Sequence, residues 1–384
     1  MTRITAPWLS APSTRAVMTA LAARGAQALF VGGCVRNTLI GAGVTDIDIA
    51  TDAHPERVTQ LAEAAGLKTV PTGIDHGTVT VITGGVPHEV TTFRRDIETD
   101  GRRAVVQYAT NVAEDARRRD FTMNALYAEA DGTVLDPLGQ GLADLAARRV
   151  RFIEDASARI AEDYLRILRF FRFHAWYGEA EVDADALHAV AQGQEGLSQI
   201  PNERIGAEVT KLLTAPDPAP SVASMAAVGV LARVLPGADP RALAPLVALE
   251  ETANVAPSAL RRLAAIGGDT VRLRLSRRDA RRLAALADWA GSPEGIAEIG
   301  YRDGADMAVD AALLRAAIAG QPLAAGVLEA AAQGAKSQFP ISAADLDPTL
   351  DGPEIGAALK ALERRWIASD FTLTREALLT GDEH

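Results

Sequence analysis

The chain has 384 residues, enough for two to four domains at roughly 100–200 residues each. Lys+Arg total 39 against 50 Asp+Glu, a formal net charge of -11, which excludes a uniformly basic nucleic-acid coat but allows a local basic patch. A single Cys excludes a disulfide framework and a Cys-based zinc site, and 48% apolar with 23% charged residues excludes a disordered or fibrous chain.

The first eighteen residues lack an apolar h-region, and no run approaches the roughly 18 uncharged apolar residues of a membrane helix, so no signal peptide, no membrane contact and a cytoplasmic location are expected. Residues 28–33 (ALFVGG) form an apolar run ending in glycines, a strand feeding a turn. Residues 45–50 alternate polar and apolar as a half-buried strand does. Residues 55–66 open with Pro, place Val58, Leu61 and Ala62 at helical spacing and end in Gly. Residues 78–82 and 88–93 are β-rich and flank Gly84-Gly85; residues 125–130 and 133–135 flank Asp131-Gly132, so two hairpins are expected. After about residue 150 strand patterns stop. Ile160, Tyr164, Ile167 and Phe171 fall at i, i+4, i+7 and i+11, the buried stripe of one long helix, and Ala/Leu-rich helical segments punctuated by Pro and Gly follow. The expected class is α+β, a small mixed sheet followed by an all-helical body.

Asp46-Ile47-Asp48 places two carboxylates at i and i+2, hence on one face of the expected strand, where they can converge on a hard cation such as Mg²⁺. A bare D-x-D is otherwise a solvated strand face; an EF-hand is excluded because Thr51 stands where Gly is required. About ten residues upstream, Gly32-Gly33-Cys34-Val35-Arg36-Asn37 offers glycines that let backbone N–H groups approach a phosphate, with Arg36 as an added donor. It is no dinucleotide fingerprint, since Asp46 follows Gly41-x-Gly43 where a third Gly belongs, and no GxxxxGK[ST] exists. Glu89, in a later strand, can pair beside Asp46 and Asp48 and complete a three-carboxylate cup. Arg117-Arg118-Arg119 precedes an apolar run, either as a solvated charge run or as contacts to phosphates. Asp163, Arg166, Arg169 and Arg172 step by three along one helical stripe, which can pair at the surface or hold a base at one end and phosphates at the other.

In this order, GGCVRN…DID, EVTTFR, RRRDFTMNA, DPLGQGLADL and EDYLRILRFFRF resemble the class II tRNA nucleotidyltransferase / poly(A) polymerase family, of the bacterial CCA-adding type. The resemblance covers roughly residues 28–213, with Glu203-Arg204-Ile205 and Glu208 similar to the last shared motif. It implies a nucleotidyltransferase head (1–150), a helical neck completing the nucleotide pocket (151–215) and a helical body and tail that bind tRNA (216–384). It implies catalysis by Asp46, Asp48 and Glu89, with Mg²⁺ on Asp46 and Asp48. ATP and CTP contacts are implied for Gly33, Arg36, Arg119, Asp163, Arg166, Arg169 and Arg172. The implied activity is template-independent addition of C and A nucleotides to the tRNA 3′ end from CTP and ATP, releasing pyrophosphate, with no obligate protein partner. The alternatives are a poly(A) polymerase or an enzyme that adds only part of CCA. Residues 71–80 (PTGIDHGTVT) look like the CCA-adding form, and the absence of a His-Asp dipeptide argues against an HD-type phosphohydrolase domain. Asn37 departs from the family's usual Asp but can cap a following helix.

Residues 261–282 contain eight Arg (261, 262, 272, 274, 277, 278, 281, 282) and only Asp269 and Asp279, a local basic stretch in an acidic chain. Ser276 is expected to cap a helix whose first turns carry Arg277, Arg278, Arg281 and Arg282, the candidate RNA-phosphate contacts.

Overall fold

The structure is a computed structural model that describes residues 2–96, 106–179 and 181–380. It divides into two compact units: the residues up to Glu208 together with Ala227–Arg233, and Val209–Ala226 together with the residues from Val234 on.

The first unit carries the sheet. Its strands are β1 (Ala28–Val31), β2 (Asp48–Thr51), β3 (Lys68–Gly73), β4 (Thr78–Thr83), β5 (Val86–Thr92), β8 (Tyr127–Ala128) and β9 (Val134–Leu135), in the order β3-β4-β5-β2-β1-β8-β9. A separate ribbon pairs β6 (Arg94–Asp96) with β7 (Val106–Tyr108). Every pairing in the seven-stranded sheet is antiparallel except β2 with β5. A parallel pair needs a crossover. Here the Pro55–Ala64 helix and the β3–β4 hairpin provide it. The class is therefore α+β with a mixed sheet, and after β9 the remaining regular elements among the described residues are helices.

Two elements differ from the sequence reading. The strand that carries Asp48 starts at that residue; Asp46 and Ile47 lie in the extended lead-in, Asp46 exposed and Ile47 only half-buried. The expected long helix is two helices, Ala156–Glu162 and Leu165–Tyr177. Asp163 breaks it by adopting an extended backbone (φ -150°, ψ 103°) and accepting the Leu165 N–H on Oδ1 at 3.0 Å, the local competition through which Asp leaves helices. Ile160, Ile167 and Phe171 remain buried on both sides of the break, so the apolar period survives although the helix does not.

The Asn202–Leu213 helix crosses from the first unit into the second. The second unit packs helices Leu243–Thr252, Ala259–Ile266, Arg277–Gly291 and Ala305–Ala319 around Leu246, Leu286, Ile299, Leu313 and Leu314. A smaller cluster gathers Ile341, Trp366 and Leu378. No described helix is long and apolar enough to cross a membrane.

Candidate active site

The parallel register opposes Asp48 to Glu89, with Ile49 and Val90 as the next pair. Register partners share a face, so two carboxylates stand side by side while Ile49 and Val90, both fully buried, anchor the strands. Both carboxylate residues line a cavity of about 410 Å³ with Arg94, Arg118, Arg119, Asp120, Asn124, Asp163, Arg166, Arg169 and Arg204. Burial, then the neighbouring Glu89 carboxylate, push the Asp48 pKa up; Arg119 pulls against them and Asp46 adds to the rise. Asp46 is exposed, and its Oδ2 accepts the Thr45 hydroxyl at 3.0 Å. Among the described residues no three His, Cys, Asp or Glu side chains gather as a metal-holding group; Asp48 and Glu89 stand side by side, and Asp46 lies two residues before Asp48, close enough to act on its charge.

The arginines facing this pair are held by carboxylates that sequence reasoning did not single out. Asp115, 1% exposed, accepts from Arg118 Nε at 2.9 Å, from Arg119 NH2 at 3.0 Å and from the Tyr127 hydroxyl at 2.7 Å. Burial alone raises the Asp115 pKa, but Arg119, Arg118 and Tyr127 outweigh it and hold the carboxyl well below the usual range. Asp120 plays the same part for Arg169, whose Nε donates to Oδ2 at 2.8 Å, and Asp120 Oδ1 accepts from Asn124 at 3.0 Å. Here too burial is outweighed by Arg169, and the Asp120 pKa is lowered. The readable sign of Asp115 was spacing: it stands four residues before Arg119, which follows the C-cap of the helix Val112–Arg117.

Asp163 and Arg166 both line the cavity and both are engaged. Asp163 Oδ2 accepts from Arg204 at 2.8 Å. Arg166 NH1 donates to the Arg159 carbonyl at 2.8 Å and to Glu162 at 2.5 Å, and NH2 donates to the Arg118 carbonyl at 3.2 Å. Because Asp163 precedes the helix, it is not on the Arg166–Arg169–Arg172 stripe but at its N-terminal end.

Three expected contact residues are not among those lining the cavity. Arg36 is 5% exposed and enclosed by Asn37, Asn124, Phe173 and Tyr177. Arg172 Nε donates to Glu208 at 2.5 Å and its guanidinium lies 4.6 Å from the Phe173 ring centre. Gly33 begins the helix Gly33–Leu39. The glycine that the geometry demands is Gly32: its φ of +69° is left-handed, and an added Cβ would lie 3.6 Å from both Arg119 and Asn124. Asn37 caps no following helix, because it lies inside Gly33–Leu39; its amide accepts from Arg36 and donates to the Gly43 carbonyl at 2.8 Å. Cys34 is buried, and burial pushes its thiol up to about 11, so it is inert packing.

In the second unit Ser276 caps the helix Arg277–Gly291 by accepting the Asp279 N–H. Arg277, Arg278 and Arg281 are exposed, and Arg282 is half-buried against Asp310 at 2.8 Å. Arg261 and Arg262 correct the sequence reading: both are buried. Arg261 bridges Glu250 and Asp310, while Arg262 pairs with Glu250 and donates to the Leu213 carbonyl at 2.8 Å. They are internal clamps, which leaves six Arg of the basic stretch against Asp269 and Asp279.

Residues 28–151 match the family described as the poly A polymerase head domain, and residues 181–241 the probable RNA- and SrmB-binding site of polymerase A. The CCA-adding enzyme of Oceanobacillus iheyensis is 43% identical over 54% of this chain and 50% of that protein. The mitochondrial CCA tRNA nucleotidyltransferase 1 of Mus musculus is 42% identical over 48% of this chain and 43% of its own. The chain's alignment thus spans about half the length of the curated relatives it matches. Over nearly the whole chain, the crystal structure of the Bacillus stearothermophilus CCA-adding enzyme in complex with CTP superposes with a TM-score of 0.70 at 26% identity, covering 95% of this chain and 94% of that one. The Thermotoga maritima CCA-adding enzyme complexed with tRNA shares the fold, with a TM-score of 0.70 at 18% identity, covering 95% and 93%. Residues 28–151 thus match the poly A polymerase head family, and the chain over nearly its whole length is similar to a solved CCA-adding enzyme.

Proposed function

We propose that this chain is a cytoplasmic, Mg²⁺-dependent CCA-adding enzyme that extends the 3′ end of tRNA with C and A nucleotides from CTP and ATP and releases pyrophosphate. The observation that carries the reading is one cavity lined by two adjacent carboxylates, by Arg118, Arg119, Arg166 and Arg169, and by Asp163. Likeness to relatives named as CCA-adding enzymes, one solved with CTP, supports the substrate class.

The residues fit a Mg²⁺ ion. The donors are carboxylate oxygens, Mg²⁺ is commonly held by one or two carboxylates plus phosphate oxygens, and two carboxylate residues stand opposite each other on neighbouring strands at the cavity. Asp48 and Glu89 would hold the ion, with Asp46 joining from the lead-in. When bound, it supplies Lewis acidity to the phosphoryl oxygens and to the attacking hydroxyl. Arg119, fixed by Asp115, and Arg169, fixed by Asp120, present preformed donors to the triphosphate. Arg only donates and a carboxylate only accepts. Arg166 therefore suits the ring nitrogen of cytosine or adenine (N3 or N1), and Asp163 their exocyclic amine. Uracil and guanine present an N–H and a carbonyl at those places, so both contacts become repulsive, and the pair selects C and A with no nucleic-acid template. We assign head and neck to the first unit and tRNA contact to the second, through Arg277, Arg278, Arg281 and Arg282.

The test is incorporation of labelled nucleotides into tRNA lacking its CCA end. The expected result is Mg²⁺-dependent use of CTP and ATP, abolished by chelator, with UTP and GTP excluded. Binding of tRNA without incorporation would contradict an enzymatic role.

A further inference from the structure

The buried guanidinium of Arg36 has an unusual set of partners. Its Nε and NH2 donate to Asn37 Oδ1 at 3.1 and 2.8 Å, NH1 to Asn124 Oδ1 at 2.8 Å and NH2 to the Tyr177 hydroxyl at 2.8 Å. Its carbon lies 3.9 Å from the centre of the Tyr177 ring and 5.1 Å from that of Phe173. All these acceptors are neutral. A buried cation whose direct partners are all dipoles and π faces depends on each of them; the Asp120 carboxylate acts on it electrostatically, with Asn124 hydrogen-bonded between the two. Arg36 is not among the residues lining the cavity, yet it is tied to it. Asn124 lines the cavity and donates its other amide edge to Asp120, which in turn fixes Arg169. The series Tyr177, Arg36, Asn124, Asp120, Arg169 thus connects the last residue of the helix Leu165–Tyr177 to a guanidinium in that helix's second turn.

We propose that Tyr177 is a positioning residue for the nucleotide cavity: its ring and hydroxyl hold Arg36, which through Asn124 and Asp120 sets the direction of Arg169. This rests on reading the cavity as the nucleotide site. Tyr177 itself touches no nucleotide. It fixes the angle at which a phosphate-facing donor is presented, so its removal acts on nucleotide affinity rather than on RNA affinity.

The test measures KM for CTP, ATP and tRNA, kcat and Tm for wild type, Y177F, Y177L, R36M and the double variant Y177L/R36M. Y177L is expected to raise the KM for both nucleotides about tenfold, with kcat within about threefold and the KM for tRNA unchanged. Y177F keeps the ring over the guanidinium and should restore the nucleotide KM to within about threefold of wild type. In the R36M background Y177L should add nothing, since residues acting through one another are not additive. An equal effect of Y177L with and without Arg36, or an effect confined to Tm, overturns the proposal. If Y177L does not fold, Y177F carries the test through the hydroxyl alone: a rise of about two- to threefold in nucleotide KM that Y177F does not add in the R36M background supports the proposal, and a rise of the same size in both backgrounds, or none in either, overturns it. A wild-type chain that binds neither CTP nor ATP overturns the nucleotide reading and this proposal with it. A wild type that binds them while Y177L is unaffected overturns this proposal alone.

Discussion

Burial of Asp48 and the Glu89 carboxylate opposite it in the strand pair both disfavour the ionised form of Asp48. Asp48→Asn removes the repulsion and keeps the shape. It should abolish nucleotide incorporation while the Tm without added metal stays equal to wild type or rises; a fall of several degrees would show that Asp48 is there for stability. Asp46→Asn should likewise remove incorporation with Tm unchanged, and substantial turnover would place the metal on Asp48 and Glu89 alone. Asp115 has the opposite sign. Its pKa is depressed in the folded chain, so its stabilisation is present above the ordinary carboxyl value of about 3.9 and disappears as pH falls through the lower folded value. Asp115→Asn should therefore lower Tm at pH 7, with the difference from wild type narrowing steadily as the pH is taken below that ordinary value. A difference that persists unchanged at low pH would mean that packing, not charge, is what the substitution removes. The carboxylates and arginines of the cavity were legible as types and order; Asp115 was marked only by its four-residue spacing to Arg119, and Asp120 and Asn124 by nothing local, because a side chain that holds another shows only once the backbone brings it within about 3 Å of its partner.

At the scale of elements, the break between Ala156–Glu162 and Leu165–Tyr177 frees the Asp163 carboxylate from a helix surface and lets it line the cavity beside Arg166. Apolar periodicity reports which positions are buried, not whether the helix between them is continuous, so the stripe was readable and the break was not. Tyr164 sits at the break against Gly196, where an added Cβ would collide with its ring. Gly196→Ala should therefore displace Tyr164, lowering Tm and raising nucleotide KM together. The base-reading role of Asp163 has a sharper signature. Asp163→Ala removes the acceptor for the exocyclic amine and also the repulsion against a carbonyl, so CTP and ATP use should fall by the roughly 1.5–3 kcal/mol of a charged hydrogen bond. Discrimination against UTP and GTP should shrink by more than that fall explains. Measured as kcat/KM for all four nucleotides, one common factor of decline would show that Asp163 only shapes the bend. Strand pairing was readable from the hairpin glycines, but the parallel β2–β5 contact that sets Asp48 against Glu89 joins residues far apart in the chain, and no local pattern specifies it.

For the molecule as a whole, the proposed RNA binding requires an acidic chain to concentrate its positive charge, and the second unit separates its arginines into two kinds. Arg261 and Arg262 are consumed by Glu250 and Asp310 inside the unit, whereas Arg277, Arg278 and Arg281 face solvent at a helix start. Sequence shows eight arginines close together and cannot say which are buried, because the carboxylates that bury them come from positions 250 and 310. Replacing Arg277, Arg278 and Arg281 with Gln should weaken tRNA binding and reduce its salt slope by roughly one unit for each phosphate no longer neutralised, with nucleotide KM unchanged. Arg262→Gln should lower Tm, since it leaves Glu250 with a buried, partly unpaired charge. An unchanged salt slope in the triple variant would move the tRNA path elsewhere. The central claim is that one cavity adds a defined C and A sequence with no nucleic-acid template. Its most direct measurement is end-sequencing of a tRNA lacking its 3′ CCA after incubation with the chain, Mg²⁺ and all four nucleotides. The products are expected to end in CCA and stop there; a long A tail, or untouched ends, would contradict it.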